Sequence, residues 1–392
     1  MIHRYRVKNF KSLRDVTVNF DPVTLLVGCS GSGKSNFLDS IQFLSGLLLK
    51  SDWSSGPIRK TFSTICHTNG REEPLRFEID FSIAGIDATF TYALEFSKNE
   101  PNKSGGVFGS SSQLHTRLEE SLKLGDKVLF HQKDSKWLVK PPTSEVPKPG
   151  LLAIGAFPSI SDIVIAFTAL TEGIGCHHFS DAVLTNGKYQ AESAGLSGDA
   201  SNYLNVLRDI TKNLQDLNVR KSMIATLQRI NPSVISAELD SVQKPTKVVV
   251  GHQFTSAPEI VSLLLGQESA GFRRCFAYLL ALYQRPPKQT LLFEHPEDGI
   301  HPGAMSLLAE EILAAPGEGR GQVVLTTHNP MLLDHFASKQ IRVVELVDGS
   351  TLIGQLSIEQ RDSLDEKLLD AGELLTTDPA RRSDSPEGQT AQ

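Results

Sequence analysis

The sequence predicts an α/β fold built on a phosphate-binding loop, with an antiparallel β insert and a helical subdomain. Residues 28–35 read Gly-Cys-Ser-Gly-Ser-Gly-Lys-Ser, and they follow the short apolar run 23–27. Apolar residues at helical spacing come directly after this loop, over residues 36–49. A strand, a glycine-rich loop and a helix in this order surround a polyphosphate with backbone N–H groups.

Composition limits the classes of function. The chain has 392 residues, of which 40% are hydrophobic and 21% charged, as in an ordinary globular protein of two or three domains. The net charge of −6 gives no general basis for nucleic-acid binding, so DNA would need a local basic patch. No signal peptide or membrane span is predicted, and the four cysteines have no metal-ligand spacing. We therefore expect a cytoplasmic protein.

The first twenty residues alternate apolar and polar positions, which predicts two strands joined by residues 9–12. This hairpin is locally basic, with Arg4, Arg6, Lys8, Lys11 and Arg14. Two interpretations stay open: a solvated strand face, or a surface for the phosphates of a nucleotide or of DNA.

The later segments differ in their periodicity. Alternation over residues 75–83 and 87–96 and a hairpin pattern over 127–139 predict antiparallel strands, whereas spacing over 203–230 is helical. The predicted division is a nucleotide-binding core from residues 1–50 and 256–376, an antiparallel β-rich subdomain from 51–150, a helical subdomain from 151–255 and a disordered tail from 377–392.

The glycine-rich loop predicts binding of a nucleoside triphosphate. Lys34 would reach the β- and γ-phosphates, and the Ser35 hydroxyl would bind Mg²⁺. The cofactors expected are therefore ATP and Mg²⁺. The nucleotide-binding residues predicted here are Gly28, Ser30, Gly31, Ser32, Gly33, Lys34, Ser35 and Asn36.

Two further apolar runs end in side chains suited to the same site. Residues 290–293 end at Glu294, a carboxylate that would hold Mg²⁺ through water. Residues 322–325 are followed by Thr326, Thr327 and His328, and a histidine at a strand end can donate a hydrogen bond to a γ-phosphate. Glu294 and His328 are thus candidate catalytic residues.

These motifs together resemble a known family. Asn9-Phe10-Lys11-Ser12-Leu13, Gly33-Lys34-Ser35-Asn36, Glu294-x-Pro-Glu-Asp-Gly-Ile-His-Pro and Thr-Thr-His328-Asn-Pro are similar to motifs of the ABC-type ATPases related to RecF, SMC and OLD proteins. The resemblance is strong to the compact AAA-domain ATPases without a coiled coil, many of which belong to bacterial anti-phage defence operons. It covers residues 1 to about 375, and it implies a homodimer that closes around ATP.

The resemblance also assigns roles to later residues. Residues 267–272 resemble the signature motif, in which Ser269 and Gly271 would contact the γ-phosphate bound to the opposite subunit. Asp298 and His301 fall in the segment that would cross the dimer interface.

Several positions depart from the family pattern. His295 stands where the family has the second, catalytic carboxylate; the imidazole could accept a proton, and Glu297 is a possible substitute. Glu268 replaces the usual leucine before the signature serine. We therefore expect slow hydrolysis. A glutamine of the Q-loop type is not evident, and His67 and Asn69 lie in the corresponding region.

Two functions of different classes follow. One is an ATPase that acts as a sensor or scaffold for a separate effector protein, such as a nuclease, in anti-phage defence. The other is a RecF-like DNA clamp in repair. No nuclease motif is found in this chain, and a transporter subunit is disfavoured by the antiparallel insert.

Overall fold

The structure is a computed structural model that describes most of the chain. The described residues are 1–49, 65–67, 73–98, 116–134, 136–143, 152–185, 195–212, 217–240 and 246–383. The chain divides into two compact units, which are described separately. Unit 1 comprises Met1–Phe20, Ser30–Thr171 and Val344–Ile353, and unit 2 comprises Asp21–Cys29, Glu172–Val343 and Gly354–Gln392.

Strands and helices are interspersed along the chain. The strands are β1 (Ile2–Phe10), β2 (Leu13–Asn19), β3 (Val23–Val27), β4 (Leu75–Phe81), β5 (Phe90–Lys98), β6 (Thr116–Leu124), β7 (Lys127–Lys133), β8 (Lys136–Val139), β9 (Ile174–His177), β10 (Val234–Asp240), β11 (Lys247–Phe254), β12 (Ala257–Leu264), β13 (Thr290–Glu294), β14 (Gln322–Thr327), β15 (Ile341–Val347) and β16 (Ser350–Gln355). The helices are α1 (Lys34–Leu49), α2 (Ser161–Thr171), α3 (Asp181–Thr185), α4 (Tyr203–Lys212), α5 (Leu217–Ile230), α6 (Ala270–Tyr283), α7 (Pro302–Ala314), α8 (Pro330–Leu333), α9 (Ile358–Asp365) and α10 (Ala371–Thr377).

Unit 1 contains an antiparallel sheet in the order β2-β1-β4-β5-β6-β7-β8. The alternating sequence of β1 buries Tyr5 and Val7 on one face, as the period of two requires. The turn into β2 uses left-handed backbone at Asn9 (φ 61°) and Lys11 (φ 48°). The hairpin predicted over residues 2–20 is confirmed, and it is continuous with the sheet of the predicted β insert.

Unit 2 contains a parallel arrangement in which β3, β14, β13 and β9 are neighbours in that order. β15 begins beside β3, with Ile341 opposite Leu25. β3 and β14 are buried at every position, because parallel strands are covered on both faces. The core of the unit combines these strands with α6 and α7. A separate three-stranded antiparallel sheet has the order β10-β11-β12.

The predicted fold class is confirmed: the chain is α/β, with a phosphate loop between β3 and α1, an antiparallel insert and a helical region. Five strands were missed: β6 in the insert, β9 within the segment expected to be mainly helical, and β12, β15 and β16 in the later part of the chain. The four-segment division itself remains a prediction.

The predicted disordered tail, residues 377–392, is described only as far as residue 383. Leu356 pairs with Arg382 in an isolated bridge, and Arg381 N donates to Gln360 Oε1 at 2.8 Å. Backbone groups of the polar segment 378–383 thus have partners near α9. The rest of the predicted tail, residues 384–392, lies outside the described residues. In the part of the chain that is described, no helix is both long and apolar enough to cross a membrane.

Candidate nucleotide-binding site

Three parallel strands of unit 2 end together at one edge of its sheet. The register places Val27 beside Thr327 and Thr326 beside Glu294. Residues that follow parallel strands leave the sheet at the same edge, which is where ligands bind in such sheets. Gly28, the first residue of the phosphate loop, therefore begins at the edge where β13 and β14 end.

The loop has the backbone that its glycines predict. Gly31 and Gly33 have φ of +80° and +105°, where a side chain is unfavourable. α1 begins at Lys34, and Phe37 N donates to the Gly33 carbonyl at 3.0 Å. The predicted strand, loop and helix are confirmed as local structure, with the helix starting two residues earlier than its apolar spacing indicated.

The hydroxyl of Ser32 gives an independent reason to expect a polar ligand. Its Oγ is buried and has no hydrogen-bond partner among the described residues. Leaving a buried hydroxyl unpaired costs about 1–3 kcal/mol, which an oxygen of a phosphate would offset. Around it, Gly33 and Lys34 are buried, Gly28, Ser35 and Asn36 are half-buried, and Ser30 and Gly31 are exposed. These residues fit a triphosphate.

Two hydroxyls in unit 1 hold the loop in place. Thr351 Oγ1 donates to the Ser32 carbonyl at 2.8 Å and lies 2.7 Å from Ser12 Oγ. Asn36 Nδ2 donates to the same Ser12 hydroxyl at 2.8 Å. A Cβ on Gly33 would lie only 2.0 Å from Thr351 Oγ1. The sequence predicted no role for Thr351, and no local pattern could have, because 319 residues separate it from Ser32.

Glu294 ends β13 with a partly exposed carboxylate. Its side chain is 27% exposed, and its Oε2 lies 3.9 Å from Nδ1 of His178. Carboxylates of this kind suit Mg²⁺, which keeps several of its waters when bound. The other predicted metal ligand, Ser35, belongs to unit 1.

His295, Glu297 and His328 come together beyond the strand ends in unit 2. His295 Nδ1 lies 3.4 Å from Glu297 Oε1 and 3.2 Å from His328 Nδ1. Glu297 Oε1 also accepts hydrogen bonds from Thr327 Oγ1 at 2.8 Å and from His328 N at 3.3 Å. Three of the four predicted catalytic residues thus form one cluster in contact.

Exposure separates the roles that these side chains can have. The Glu297 side chain is 3% exposed, that of His295 19% and that of His328 65%. Burial raises the pKa of the Glu297 carboxyl, but hydrogen bonds from His295, from the backbone and from Thr327 outweigh it, so its pKa lies below the usual value. Because Glu297 is almost fully buried and accepts hydrogen bonds, His295 is better placed than Glu297 to meet water.

The predicted signature segment begins α6. Ser269 is the N-cap residue, with its Oγ accepting from Phe272 N at 3.2 Å, and it is exposed. A Cβ on Gly271 would lie 3.0 Å from the Gly299 carbonyl, so Gly271 packs against the residues that follow β13. An exposed N-terminus of a 14-residue helix has N–H groups and a dipole that favour an anion.

The segment between β13 and α7 is tied to α6. The Arg274 guanidinium donates to the Asp298 carbonyl, and His301 caps α7, its Nδ1 accepting from Gly303 N at 3.1 Å. The Q-loop candidate His67 is 3% exposed and packs in unit 1, where Nε2 lies 3.3 Å from the Gly349 carbonyl. The other candidate, Asn69, lies outside the described residues.

The cations of the first hairpin are paired with carboxylates. Arg4 lies 2.6 Å from Glu78, Arg6 2.8 Å from Asp15 and Lys11 2.5 Å from Asp39, while Lys8 and Arg14 both lie 3.8 Å from Glu73. This favours the solvated strand face over a phosphate-binding surface.

Two family models match separate parts of the chain. Residues 1–148 match the model described as "AAA ATPase domain". Residues 182–334 match the model described as "AAA domain, putative AbiEii toxin, Type IV TA system". No curated protein matches the sequence.

Solved structures of SMC heads are similar at low identity. An SMC head bound to the C-terminal winged-helix domain of ScpA is 15% identical, with 92% of this chain and 99% of that chain covered and a TM-score of 0.49. The SMC head domain of Thermotoga maritima is 14% identical, with 91% and 99% covered and a TM-score of 0.45. A Pyrococcus furiosus SMC head with an extended coiled coil, bound to the C-terminal domain of ScpA, is 13% identical, with 94% and 99% covered and a TM-score of 0.47.

Proposed function

We propose that this chain, an ABC-type AAA-domain ATPase of the group related to RecF, SMC and OLD proteins, closes as a homodimer around two ATP molecules and thereby controls a separate effector protein. Binding and hydrolysis of ATP are the activity of its family. The dimer, the effector and the assignment of residues to steps are the parts that we propose.

The observation that supports the site best is the shared edge of the parallel sheet. The phosphate loop starts there at Gly28, Glu294 ends β13 there, and His328 follows β14. Lys34 would bind the β- and γ-phosphates, and Ser35 and Glu294 would hold Mg²⁺. Bound Mg²⁺ neutralises charge on the phosphates.

In the dimer, we assign the start of α6 to the nucleotide of the partner subunit. Ser269 and the residues after it present backbone N–H groups at an exposed helix N-terminus, and these would bind the γ-phosphate. Closure would then depend on the γ-phosphate, and its loss would let the dimer open.

Hydrolysis would use His295 as the base. The water oxygen attacks the γ-phosphorus, the bond to the β-phosphate oxygen breaks, and a water proton passes to Nε2 of His295. Glu297, 3.4 Å from Nδ1, would orient the ring and stabilise its protonated form, as a carboxylate does in other histidine-based sites. A single imidazole in place of the family carboxylate predicts slow turnover, so the ATP-bound dimer would persist.

A role in anti-phage defence has two supports. The sequence resembles compact ATPases of such operons, and the family model that matches residues 182–334 is described with a toxin–antitoxin system. The effector would be a separate chain, for example a nuclease.

A RecF-like DNA clamp is the second candidate, and the hairpin charges count against it. All five of the cations that could have formed a basic surface lie within 4 Å of carboxylates, and the net charge is −6. Binding of DNA that falls steeply as salt rises would instead support the clamp.

The test separates nucleotide binding from dimerisation. Lys34→Ala should abolish ATP binding measured by calorimetry. Gly271→Asp should bind ATP as the wild type does and yet remain monomeric with ATP in light scattering. Gly317→Asp makes the same change at an exposed loop position and serves as the control.

Since a side chain at residue 271 approaches Gly299, Ser269→Arg provides a second variant at an exposed position. ATP binding by both variants verifies that they are folded. If both form the ATP-dependent dimer as the wild type does, the signature assignment is wrong. Unchanged ATP binding by Lys34→Ala would contradict the loop assignment itself.

A further inference from the structure

We propose that His295, Glu297 and His328 form a binding site for a divalent transition-metal ion of the Zn²⁺ class, distinct from the Mg²⁺ that accompanies ATP. The ligand atoms are Nδ1 of both histidines and Oε1 of Glu297. All three residues belong to unit 2, and no candidate ligand comes from unit 1.

The distances between the donor atoms are those that one ion requires. The two Nδ1 atoms are 3.2 Å apart, and Glu297 Oε1 lies 3.4 Å from His295 Nδ1 and 3.9 Å from His328 Nδ1. Ligands at about 2.1 Å from a tetrahedral Zn²⁺ are separated by about 3.4 Å. The triangle therefore accepts an ion of this size with small movements of the two rings.

Hydrogen bonds alone satisfy this cluster poorly. A proton on His295 Nδ1 would have to be shared between Glu297 Oε1 and His328 Nδ1, and any other placement of one proton leaves two lone pairs facing each other. In addition, Glu297 Oε2 is buried without a hydrogen-bond partner among the described residues. A cation bound to Oε1 removes the first of these difficulties, because it accepts lone pairs from all three residues at once.

The donor set selects the kind of metal. Imidazole nitrogens suit Zn²⁺ and its neighbours in the first transition row, whereas Mg²⁺ and Ca²⁺ take oxygen ligands. Supporting contacts of the type found around metal sites are present: Thr327 Oγ1 donates to the ligating oxygen at 2.8 Å, and His295 N donates to Thr326 Oγ1 at 3.1 Å. His328 is 65% exposed, which leaves a path for the ion and room for water as a fourth ligand.

Metal binding would act on the cycle proposed above, and this consequence rests on that proposal. With the ion on Nδ1, the neutral His295 ring carries its proton on Nε2 and can no longer accept one from water. The metal-bound protein would bind ATP normally but hydrolyse it more slowly, which would prolong the closed dimer.

The test uses Co²⁺ as the probe, added to the full chain without a tag and without nucleotide. We expect one Co²⁺ per chain with the intense visible absorption of a four-coordinate site, displaced by one equivalent of Zn²⁺. His328→Ala and Glu297→Gln should each weaken binding by more than about 100-fold, beyond the loss typical of residues that only support ligands. His335→Ala, which removes an exposed histidine outside the cluster, should bind as the wild type does.

The experiment tests the metal site independently of the proposed ATPase function. Lys34→Ala should retain Co²⁺ binding although it loses ATP. Equal Co²⁺ affinity in the wild type, His328→Ala and Glu297→Gln would overturn the site, as would an absence of binding by the wild type. Neither result would affect ATP binding or dimerisation, which are measured without transition metal.

Discussion

Glu268, which occupies the position before the signature serine, is hydrogen-bonded to His252 of β11. The Glu268 Oε1 and His252 Nε2 atoms are 2.6 Å apart, and the side chains are 8% and 3% exposed. The second ring nitrogen, Nδ1, lies 2.8 Å from Ser233 Oγ. A carboxylate thus replaces the leucine usual in the family, and an imidazole compensates for its burial.

Breaking this pair should destabilise the protein strongly. His252→Leu removes the partner of a buried carboxylate, which typically costs about 3–5 kcal/mol. The double variant His252→Leu with Glu268→Leu restores an apolar contact at the family's own residue type, and we expect it to recover most of that loss. Urea unfolding of the wild type, both single variants and the double variant measures the coupling. If the two single losses simply add in the double variant, the pair does not stabilise the signature segment.

Arg273 provides a second support for the same segment. Its guanidinium donates to both carboxylate oxygens of Asp181, at 2.7 and 2.6 Å, and to the carbonyls of Gly266 and Glu268. The signature segment is therefore held by side chains from α3 and β11. We expect it to keep its shape in the monomer, so that dimerisation needs little rearrangement there.

Gly33 should tolerate no side chain, in contrast to Gly31. A Cβ at Gly33 would lie 2.0 Å from Thr351 Oγ1, whereas a Cβ at Gly31 would have no atom within 4 Å. Both have positive φ, which costs an alanine about 1–2 kcal/mol. Gly31→Ala should therefore weaken ATP binding about 30-fold at most, and Gly33→Ala should abolish it in calorimetric titration.

The hydroxyl of Thr351 gives a matched test of that contact. Thr351→Val keeps the shape but cannot donate to the Ser32 carbonyl, so we expect weaker ATP binding, while Thr351→Ser should bind close to the wild type. Equal ATP affinities for Gly31→Ala and Gly33→Ala, or for the two Thr351 variants, would show that the contact with Thr351 does not shape the loop.

The parts of this site that could be predicted are those with a local sequence pattern. The loop from Gly28 to Ser35, the strand end at Glu294 and the strand end at His328 each have a local pattern, and the parallel register brings the strand ends to one edge. The partners of these elements are distant in sequence and carry no pattern of their own. Thr351 could not be linked to Ser32, nor could the contact between His295 and His328 be foreseen, because both depend on packing.

Strand prediction failed for the same reason. β9, residues Ile174–His177, has only four residues and no alternation, yet it completes the parallel sheet beside β13. Its histidine is buried against aromatic rings, with Phe179 and Phe293 at centroid distances of 5.4 and 5.9 Å. A buried histidine on a sheet edge was not expected from the sequence, and we expect it to make the stability of the protein depend on pH.

His177 should make the folded state less stable in acid. Burial, with a smaller effect of Lys288, lowers the pKa of His177 from 6.5 to about 4, while Nδ1 lies 3.3 Å from the Ser197 carbonyl. Between these two values the unfolded chain binds a proton that the folded protein excludes, so stability falls as pH is lowered from 6.5 toward 4. Over this pH range the exclusion of the proton from His177 lowers the free energy of unfolding by about 3 kcal/mol.

His177→Asn removes the titration but keeps an N–H donor near the position of Nδ1. We expect it to be less stable than the wild type at pH 7, because it leaves a cavity, but to lose less stability on acidification. His178→Asn changes the neighbouring residue, whose side chain is 61% exposed, and should keep the wild-type pH dependence. Urea unfolding midpoints between pH 4 and 7.5 provide the measurement. If the unfolding midpoint of His177→Asn changes with pH as steeply as that of His178→Asn, a group other than His177 excludes the proton.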